Sequence, residues 1–206
     1  MADHLEIEQK YEAGADFVLP ALADLPGVAE ETDPEVYHLD ALYYDTEDLA
    51  LQRAKVTLRR RTGGSDAGWH LKLPVSTDTR RELHEPLGST EVPHRLAARV
   101  EELTAGSPLV PVASLKTERT VRRLISQAGV MLAEIADDQV TAQRLGAARG
   151  EPLIWREIEV EAGDALLAGE EAGDSTGLLA AVGQRLRDAG AAPSKSASKV
   201  GRILSS

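Results

Sequence analysis

Charged side chains recur at every second position in several strand-length segments of this chain. Successive side chains of a β-strand point to opposite faces, so each alternating set lies on one face of its strand. Any single set could simply face water. The repetition favours another arrangement, in which the charges line the inside of a closed barrel and the apolar faces pack under helices outside it. The sets are Glu6/Glu8/Lys10, Arg59/Arg61, His70/Lys72, Arg80/Glu82 and Glu157/Glu159/Glu161.

Eight segments show the period of two that is typical of β-strands. The Gly and Asp residues of 62–66 predict a hairpin loop between the third and fourth segments, and residues 127–129 predict a turn between the sixth and seventh. The sequence therefore predicts a mainly β fold of the α+β class. The eight segments are residues 4–12, 37–44, 56–61, 68–74, 80–87, 115–125, 130–136 and 153–161.

Helices flank these strands. For the first helix the N-cap is Asp45 or Thr46, and for the third it is Asp174. Pro93 occupies a first-turn position in the second helix. Apolar residues at helical spacing define the second and third helices. The predicted helices cover residues 47–51, 93–104, 174–189 and 195–204.

The composition restricts the class of protein further. The chain has no cysteine, so it can form neither a disulfide nor a thiolate metal site. Its formal net charge of −11 argues against a general nucleic-acid binder, because nonspecific affinity for a polyanion comes from a basic surface. Residues 1–10 lack the basic and apolar regions of a leader, and no run reaches the roughly 18 apolar residues of a membrane span. We therefore expect a cytoplasmic protein with a single domain over residues 1–206 and no nucleic-acid or membrane partner.

The charged segments also resemble those of a known family. Residues 6–10, EIEQK, resemble the ExExK signature of the CYTH superfamily, which contains inorganic triphosphatases, thiamine triphosphatases and one class of adenylyl cyclase. Further motifs follow in the family's order, and the resemblance covers residues 6–199. These motifs are Tyr44-Asp45-Thr46 before Leu49, Leu58-Arg59-Arg60-Arg61, Leu71-Lys72-Leu73-Pro74, Arg80-Arg81-Glu82, Glu157-Ile158-Glu159 and Ser198-Lys199.

The resemblance implies a closed eight-stranded antiparallel β-barrel, a triphosphate tunnel, that binds a linear triphosphate with Mg²⁺ or Mn²⁺. The residue types fit this expectation, because a triphosphate carries about four negative charges and guanidinium groups bind phosphate oxygens in bidentate fashion. Mg²⁺ binds one or two protein carboxylates beside substrate phosphates and water. An interior lined by both acids and bases therefore fits a metal–triphosphate complex better than a metal or an anion alone.

Carried over residue by residue, the resemblance implies three overlapping sets of site residues. The metal carboxylates are Glu6, Glu8, Asp138, Glu157 and Glu159, with Glu82 in support. The substrate-binding residues are Lys10, Arg59, Arg61, Lys72, Arg80, Arg119 and Lys199. The catalytic residues are Glu6, Glu8, Lys10, Glu82 and Lys199.

Two choices between neighbouring residues stay open. Alternation from Glu134 favours Asp138 over Asp137, although a β-bulge could bring Asp137 inside. Either Arg122 or Arg123 could join the substrate-binding set, and alternation alone does not decide between them.

The aromatic rings and the histidines carry weaker signals. The spacing of the five histidines matches no metal motif and favours surface positions, although His70 and His84 share the parity of Lys72 and Glu82 and could lie near a tunnel mouth. Trp69 has the parity of an outer-face residue. Trp155 has the parity of Glu157, so it either caps the barrel core or stacks on an organic substrate group.

Hydrolysis of inorganic triphosphate to pyrophosphate and phosphate is the expected activity. It requires no nucleophilic side chain, and the aromatic content of 3% leaves little surface for stacking on an organic group. One alternative is an adenylyl cyclase or a thiamine or nucleoside triphosphatase, and another is a noncatalytic module that binds polyphosphate or a nucleotide. Many bacterial proteins with this domain continue into a helical CHAD domain, and the sequence leaves open whether this chain is a piece of such a protein.

Overall fold

Eight long antiparallel strands and two short ones form one sheet that closes on itself. The structure, a computed structural model, describes residues 2–76, 79–146, 149–163 and 175–205. The strands are β1 (Ala2–Ala13), β2 (Glu30–Glu31), β3 (Glu35–Asp45), β4 (Thr57–Thr62), β5 (Gly68–Pro74), β6 (Thr79–Pro86), β7 (Val110–Ile125), β8 (Met131–Arg144), β9 (Leu153–Ala162) and β10 (Ala192–Pro193).

The sheet closes because β1 has a different partner along each half of its length. Residues 2–7 pair with β6, and residues 8–13 pair with β9. The order around the barrel is β1-β6-β5-β4-β3-β7-β8-β9, and β9 then returns to β1. The short strands β2 and β10 add to β7 and β1 from outside this circuit. The predicted closed eight-stranded antiparallel barrel is therefore confirmed.

Within the described residues, five helices accompany the barrel. They are α1 (Ala50–Arg53), α2 (His94–Arg99), α3 (Glu101–Thr104), α4 (Ser175–Asp188) and α5 (Lys199–Leu204). Among the described residues, none of the helices combines the length and the apolar character that crossing a bilayer would require.

Helices cover the apolar outer faces of the strands on two sides. Leu178, Val182 and Leu186 of α4 pack on Ile158 and Val160 of β9. On the other side α1, α2 and α3 cover strands β4 to β6, in a buried cluster that consists of Leu51, Val56, Leu58, Trp69, Leu71, Leu83, Leu96 and Val100. Trp69 thus packs on the outer face, as its parity predicts.

One end of the barrel interior is apolar and is filled by the C-terminal helix. Val200 and Ile203 of α5 pack against Val140, Leu115 and Trp155 from the strands. The Trp155 ring is buried in this cluster, with the guanidinium group of Arg202 5.1 Å from its ring centre. Of the two roles open to Trp155, the structure shows the one in the core.

Three predicted helix boundaries are wrong. The helix over 93–104 is broken at Val100, whose extended φ and near-zero ψ end α2 and begin α3, and Pro93 precedes the first turn. The last helix begins at Lys199, because Ser198 is extended and its hydroxyl accepts a hydrogen bond from the amide of Gly201. The first helix begins three residues later than predicted.

The side-chain oxygens of both predicted N-cap residues accept hydrogen bonds from the backbone amides of the first helix. The Asp45 carboxylate accepts hydrogen bonds from the amides of Leu51 and Gln52, each at 2.8 Å. The Thr46 hydroxyl accepts from the amide of Ala50 at 2.9 Å. Asp174, predicted to cap the third helix, lies outside the described residues.

Candidate active site

Charged side chains line a cavity of about 490 Å³ inside the barrel. The lining is balanced between positive and negative groups, so it suits a ligand that itself carries both a polyanion and cations. Its basic residues are Lys10, Arg59, Arg61, Lys72, Arg80, Arg119 and Lys199. Its acidic residues are Glu6, Glu8, Asp66, Glu82, Glu134, Glu159 and Glu161.

All the site residues named from the sequence meet in this interior. Eleven of the thirteen line the cavity directly. The other two, Asp138 and Glu157, are buried behind its wall, and Lys199 reaches both. The alternation of side chains along each strand therefore points those on the strands inward, as the sequence predicts.

The deepest part of the site is a cluster of three carboxylates around one ammonium group. The Nζ atom of Lys199 lies 2.8 Å from Asp138, 2.7 Å from Glu157 and 2.7 Å from Glu159. Asp138 is fully buried, and the Arg119 guanidinium donates to both of its oxygens at 2.7 and 2.6 Å. Burial alone would raise the pKa of Asp138, but Lys199 and Arg119 hold that pKa below its usual value.

A second group of carboxylates lies on β1, β6 and β9. Lys72 donates to Glu6 at 2.5 Å and lies 3.0 Å from Glu82. Burial raises the pKa of Glu6 to about 8 against the opposing effect of Lys72, and burial raises the pKa of Glu161 to about 7. Glu161 is the cross-strand neighbour of Glu8, and like charges in such a pair are destabilising. This wall therefore holds more carboxyl groups than its lysines can keep ionised at neutral pH.

The opposite wall carries the guanidinium groups of β4 and β7. Burial, together with Arg59 and Arg119 nearby, lowers the pKa of Arg61 to about 9. The buried Nε atoms of Arg59 and Arg61 have no hydrogen-bond acceptor among the described residues. Arg61 does contact the Asp66 carboxylate, and Arg59 donates a long hydrogen bond of 3.4 Å to the Tyr43 hydroxyl. These clustered, incompletely paired cations make this wall positively charged, which suits an anion.

Arg80 joins the barrel to the segment that precedes α5. Its Nη2 donates to the carbonyl of Ala197 at 3.0 Å, and its Nε lies 3.6 Å from Glu8. The same segment is held on β1, where the Ser194 amide donates to the carbonyl of Lys10 at 2.8 Å. These contacts bring Lys199, which is remote in sequence from the barrel strands, into the cavity.

The structure shows which residue of each neighbouring pair faces the interior, and neither Arg122 nor Arg123 lines the cavity itself. Asp138 faces inward, whereas Asp137 lies on the outer face and accepts two hydrogen bonds from Arg156 at 2.9 and 2.7 Å. Arg123 shares the parity of Arg119 and pairs with a cavity residue, Glu134, at 3.1 Å. Arg122 pairs instead with Glu31 of β2 at 2.9 Å.

The site named from the sequence omits further side chains that face the interior, among them Glu134, Glu161, Asp66 and His70. Glu134 and Glu161 have the parity of Asp138 and Glu159, so alternation alone would have included them. Asp66 comes from the hairpin loop, where no period applies. His70 was expected at the surface or near a tunnel mouth, but it is 1% exposed, with Nδ1 against Glu82 and Nε2 2.9 Å from the Asp66 carbonyl.

Two groups of side chains could hold a divalent cation. Among the described residues, His4/Glu6/Glu82 and Asp138/Glu157/Glu159 each bring three candidate ligand atoms within 4.8 Å of one another. Hard cations such as Mg²⁺ and Mn²⁺ prefer such oxygen donors. The surplus carboxyl groups beside Glu6 and Glu8 also fit a cation at that wall.

The closed barrel with a mixed acid and base interior is the architecture of triphosphate tunnel proteins. A Bacillus halodurans protein provisionally described as an adenylate cyclase superposes with a TM-score of 0.64 at 17% identity, covering 99% of this chain and 100% of that one. A Pyrococcus horikoshii protein superposes with a TM-score of 0.52 at 16% identity, covering 97% and 98%. At these identities the likeness shows the fold.

Residues 4–171 match the family model of the CYTH domain, and this chain belongs to the CYTH family. Members of that family are metal-dependent enzymes of the triphosphate tunnel type. Two proteins described as uncharacterized, from two strains of Mycobacterium tuberculosis, are 39% identical over 213 residues, covering 98% of this chain. The chain spans about 40% of the length of these curated relatives.

Proposed function

We propose that this chain hydrolyses inorganic triphosphate to pyrophosphate and phosphate with the help of a divalent metal ion. The observation that carries the proposal is the cavity, in which basic residues on one wall face surplus carboxylates on the other. A bare polyanion binder would gain nothing from the carboxylates, and a bare metal site would gain nothing from the guanidinium groups. A metal–triphosphate complex satisfies both walls.

The basic residues would bind the phosphate chain. Arg59 and Arg61 have buried Nε atoms free for phosphate oxygens, and Arg119 lies beside them on the neighbouring side of the barrel. Charge-assisted hydrogen bonds of this kind are among the strongest in proteins. Lys10, Lys72 and Arg80 line the rest of the cavity and complete the cradle in this proposal.

The acidic residues would hold the metal ion. In this proposal its ligands come from Glu6, Glu8, Asp138, Glu157 and Glu159, with Glu82 in support. Mg²⁺ or Mn²⁺ bound there supplies charge neutralisation at the phosphates and an acidified water. Without substrate some of these carboxylates pair with the cradle, since Arg119 binds both Asp138 and Glu159, so a bound metal ion would have to compete with that pairing.

Lys199 would stabilise the reaction's developing charge. During hydrolysis water adds to the terminal phosphorus while the bond from that phosphorus to its bridging oxygen breaks, and negative charge grows on the departing pyrophosphate. An ammonium group within reach of that oxygen stabilises the transition state of the reaction more than its ground state. Lys199 extends into the cavity from α5, at the apolar end of the barrel interior, so it approaches one end of the bound triphosphate.

The shortage of aromatic surface favours the inorganic substrate. Tyr43 is the one Phe, Tyr or Trp side chain among the described residues that line the cavity, and its hydroxyl already meets Arg59. Trp155 is buried in the apolar cluster under α5 and does not face the cavity lining. An adenine or thiazolium ring would therefore find little to stack on.

The test is release of phosphate and pyrophosphate from triphosphate, ATP, thiamine triphosphate and long-chain polyphosphate, each with Mg²⁺ and with Mn²⁺. We expect metal-dependent turnover that is fastest with triphosphate. Glu8→Gln should abolish it, whereas Glu118→Gln, a matched change at an exposed position of β7, should leave it intact. Formation of cyclic AMP would instead indicate a cyclase, preference for thiamine triphosphate would indicate an organic triphosphatase, and binding without turnover would indicate a noncatalytic module.

A further inference from the structure

A buried imidazole links two ion pairs of the cavity wall. Nδ1 of His70 contacts Oε1 of Glu82, and Oε2 of the same carboxylate lies 3.0 Å from Nζ of Lys72. On its other side, Nε2 of His70 lies 2.9 Å from the carbonyl oxygen of Asp66, whose carboxylate contacts Arg61. Lys72 and Arg61 both line the cavity, and His70 itself does not.

The geometry makes His70 a donor at its Nε2 atom. A backbone carbonyl only accepts hydrogen bonds, so Nε2 carries a hydrogen. Nδ1 contacts the carboxylate of Glu82, so both ring nitrogens have a polar partner within the wall. His70 is 1% exposed, so water cannot replace either partner without entry into the wall.

Each of these contacts restrains a residue that would otherwise compete with substrate. Without His70, Glu82 would have a free oxygen that could turn toward the guanidinium groups, and Arg59 is close enough to influence its charge. Asp66 belongs to the turn after Gly63 and Gly64, both at positive φ, so its backbone depends on tertiary contacts for its position. A displaced Asp66 would alter the pairing of Arg61.

We propose that His70 is a positioning residue for phosphate binding, which holds Glu82 against Lys72 and the Asp66 turn against Arg61. This inference rests on the proposed function, in which Arg61 and Lys72 bind the triphosphate. His70 touches neither substrate nor metal in this role. Its loss weakens substrate binding because two cavity cations are then paired with carboxylates that have moved.

Three substitutions separate the two arms of this arrangement. The amide of Asn lies near the Nδ1 position, so His70→Asn keeps a donor toward Glu82. The longer Gln reaches the Nε2 position, so His70→Gln keeps a donor toward the Asp66 carbonyl. His70→Leu keeps neither. His38→Leu serves as the matched control, because the His38 side chain is 78% exposed on β3.

The measurements are KM and kcat for triphosphate, together with triphosphate affinity by calorimetry without metal. We expect His70→Leu to raise KM and weaken the metal-free affinity by at least about tenfold, while kcat changes by less than about threefold. His70→Asn and His70→Gln should each recover part of the affinity, and His38→Leu should match the wild type. If His70→Leu does not fold, the comparison of the Asn and Gln variants with the wild type decides the matter.

Several results would overturn the inference. Wild-type affinity in all three His70 variants would do so, and so would a loss of kcat at constant KM. If all three His70 variants lost thermal stability but kept the triphosphate affinity of the wild type, His70 would be merely structural. If the wild-type chain itself neither binds nor hydrolyses triphosphate, the proposed function fails. If the wild type is active and the His70 variants match it, only the inference about His70 fails.

Discussion

Removal of the Lys199 ammonium should destabilise the metal-free protein strongly. Lys199 is 8% exposed and contacts three carboxylates. In Lys199→Ala, Asp138 keeps Arg119 and Glu159 keeps Lys10 and Arg119, but Glu157 keeps only the Trp155 indole N–H at 2.6 Å. One buried carboxylate is therefore left without a cation.

The size of the effect follows from that loss. Breaking a buried ion pair by removing one partner costs about 3–5 kcal/mol. At about 2–4 °C per kcal/mol for a chain of this size, the thermal midpoint in EDTA should fall by roughly 6–20 °C. The exposed neighbour Lys195 is the control, and Lys195→Ala should change the free energy of unfolding by less than about 0.5 kcal/mol.

A divalent cation should reverse part of this loss. The carboxylates vacated by the ammonium lie within 4.8 Å of one another, so Mn²⁺ should raise the thermal midpoint of Lys199→Ala more than that of the wild type. The assay is calorimetric unfolding in EDTA and across a Mn²⁺ titration. Turnover at saturating metal should still fall by at least about tenfold, equivalent to about 1.4 kcal/mol. Equal midpoints for Lys199→Ala and Lys195→Ala in EDTA would refute the reasoning.

Three further changes test the remaining parts of the site. Arg59→Ala should weaken triphosphate binding by about 10- to 150-fold, which corresponds to the loss of one hydrogen bond to a charged group. It should not lower the thermal midpoint of the metal-free protein, because it relieves repulsion among clustered cations. Unchanged triphosphate affinity in calorimetry would contradict this prediction. Asp138→Asn should abolish phosphate release, whereas Asp137→Asn should leave its rate within about twofold of the wild type. Rates within about twofold of the wild type in both variants would place both residues outside the mechanism. Between about pH 6.5 and 8.5 the metal-free protein should lose roughly 2–3 kcal/mol of stability, because the raised pKa values of Glu6 and Glu161 make the folded state bind more protons than the unfolded state. Denaturant unfolding should show a shallower slope with pH in Glu161→Gln, and an unchanged slope would remove Glu161 as its source.

The alternation of charged and apolar residues was enough to predict the barrel's inside and outside. Glu6 and Glu8 face the cavity, and Ile158 and Val160 pack under α4, because side chains of a strand alternate wherever its hydrogen bonds form. The same rule selects Asp138 over Asp137. These assignments depend on local geometry alone, so one sequence suffices for them.

The tertiary structure decided the features that depend on residues far apart in the chain. The buried Val100 breaks a helix that its local sequence favours, and packing against strands is what buries it. Lys199 reaches Asp138 only because the segment before α5 is held on β1 and Arg80. His70 is buried between Glu82 and a turn, and no period in the sequence specifies that pairing. The sequence by itself determined which face of each strand carries charge, whereas the partner of each charge depends on barrel closure, which brings non-neighbouring strands together.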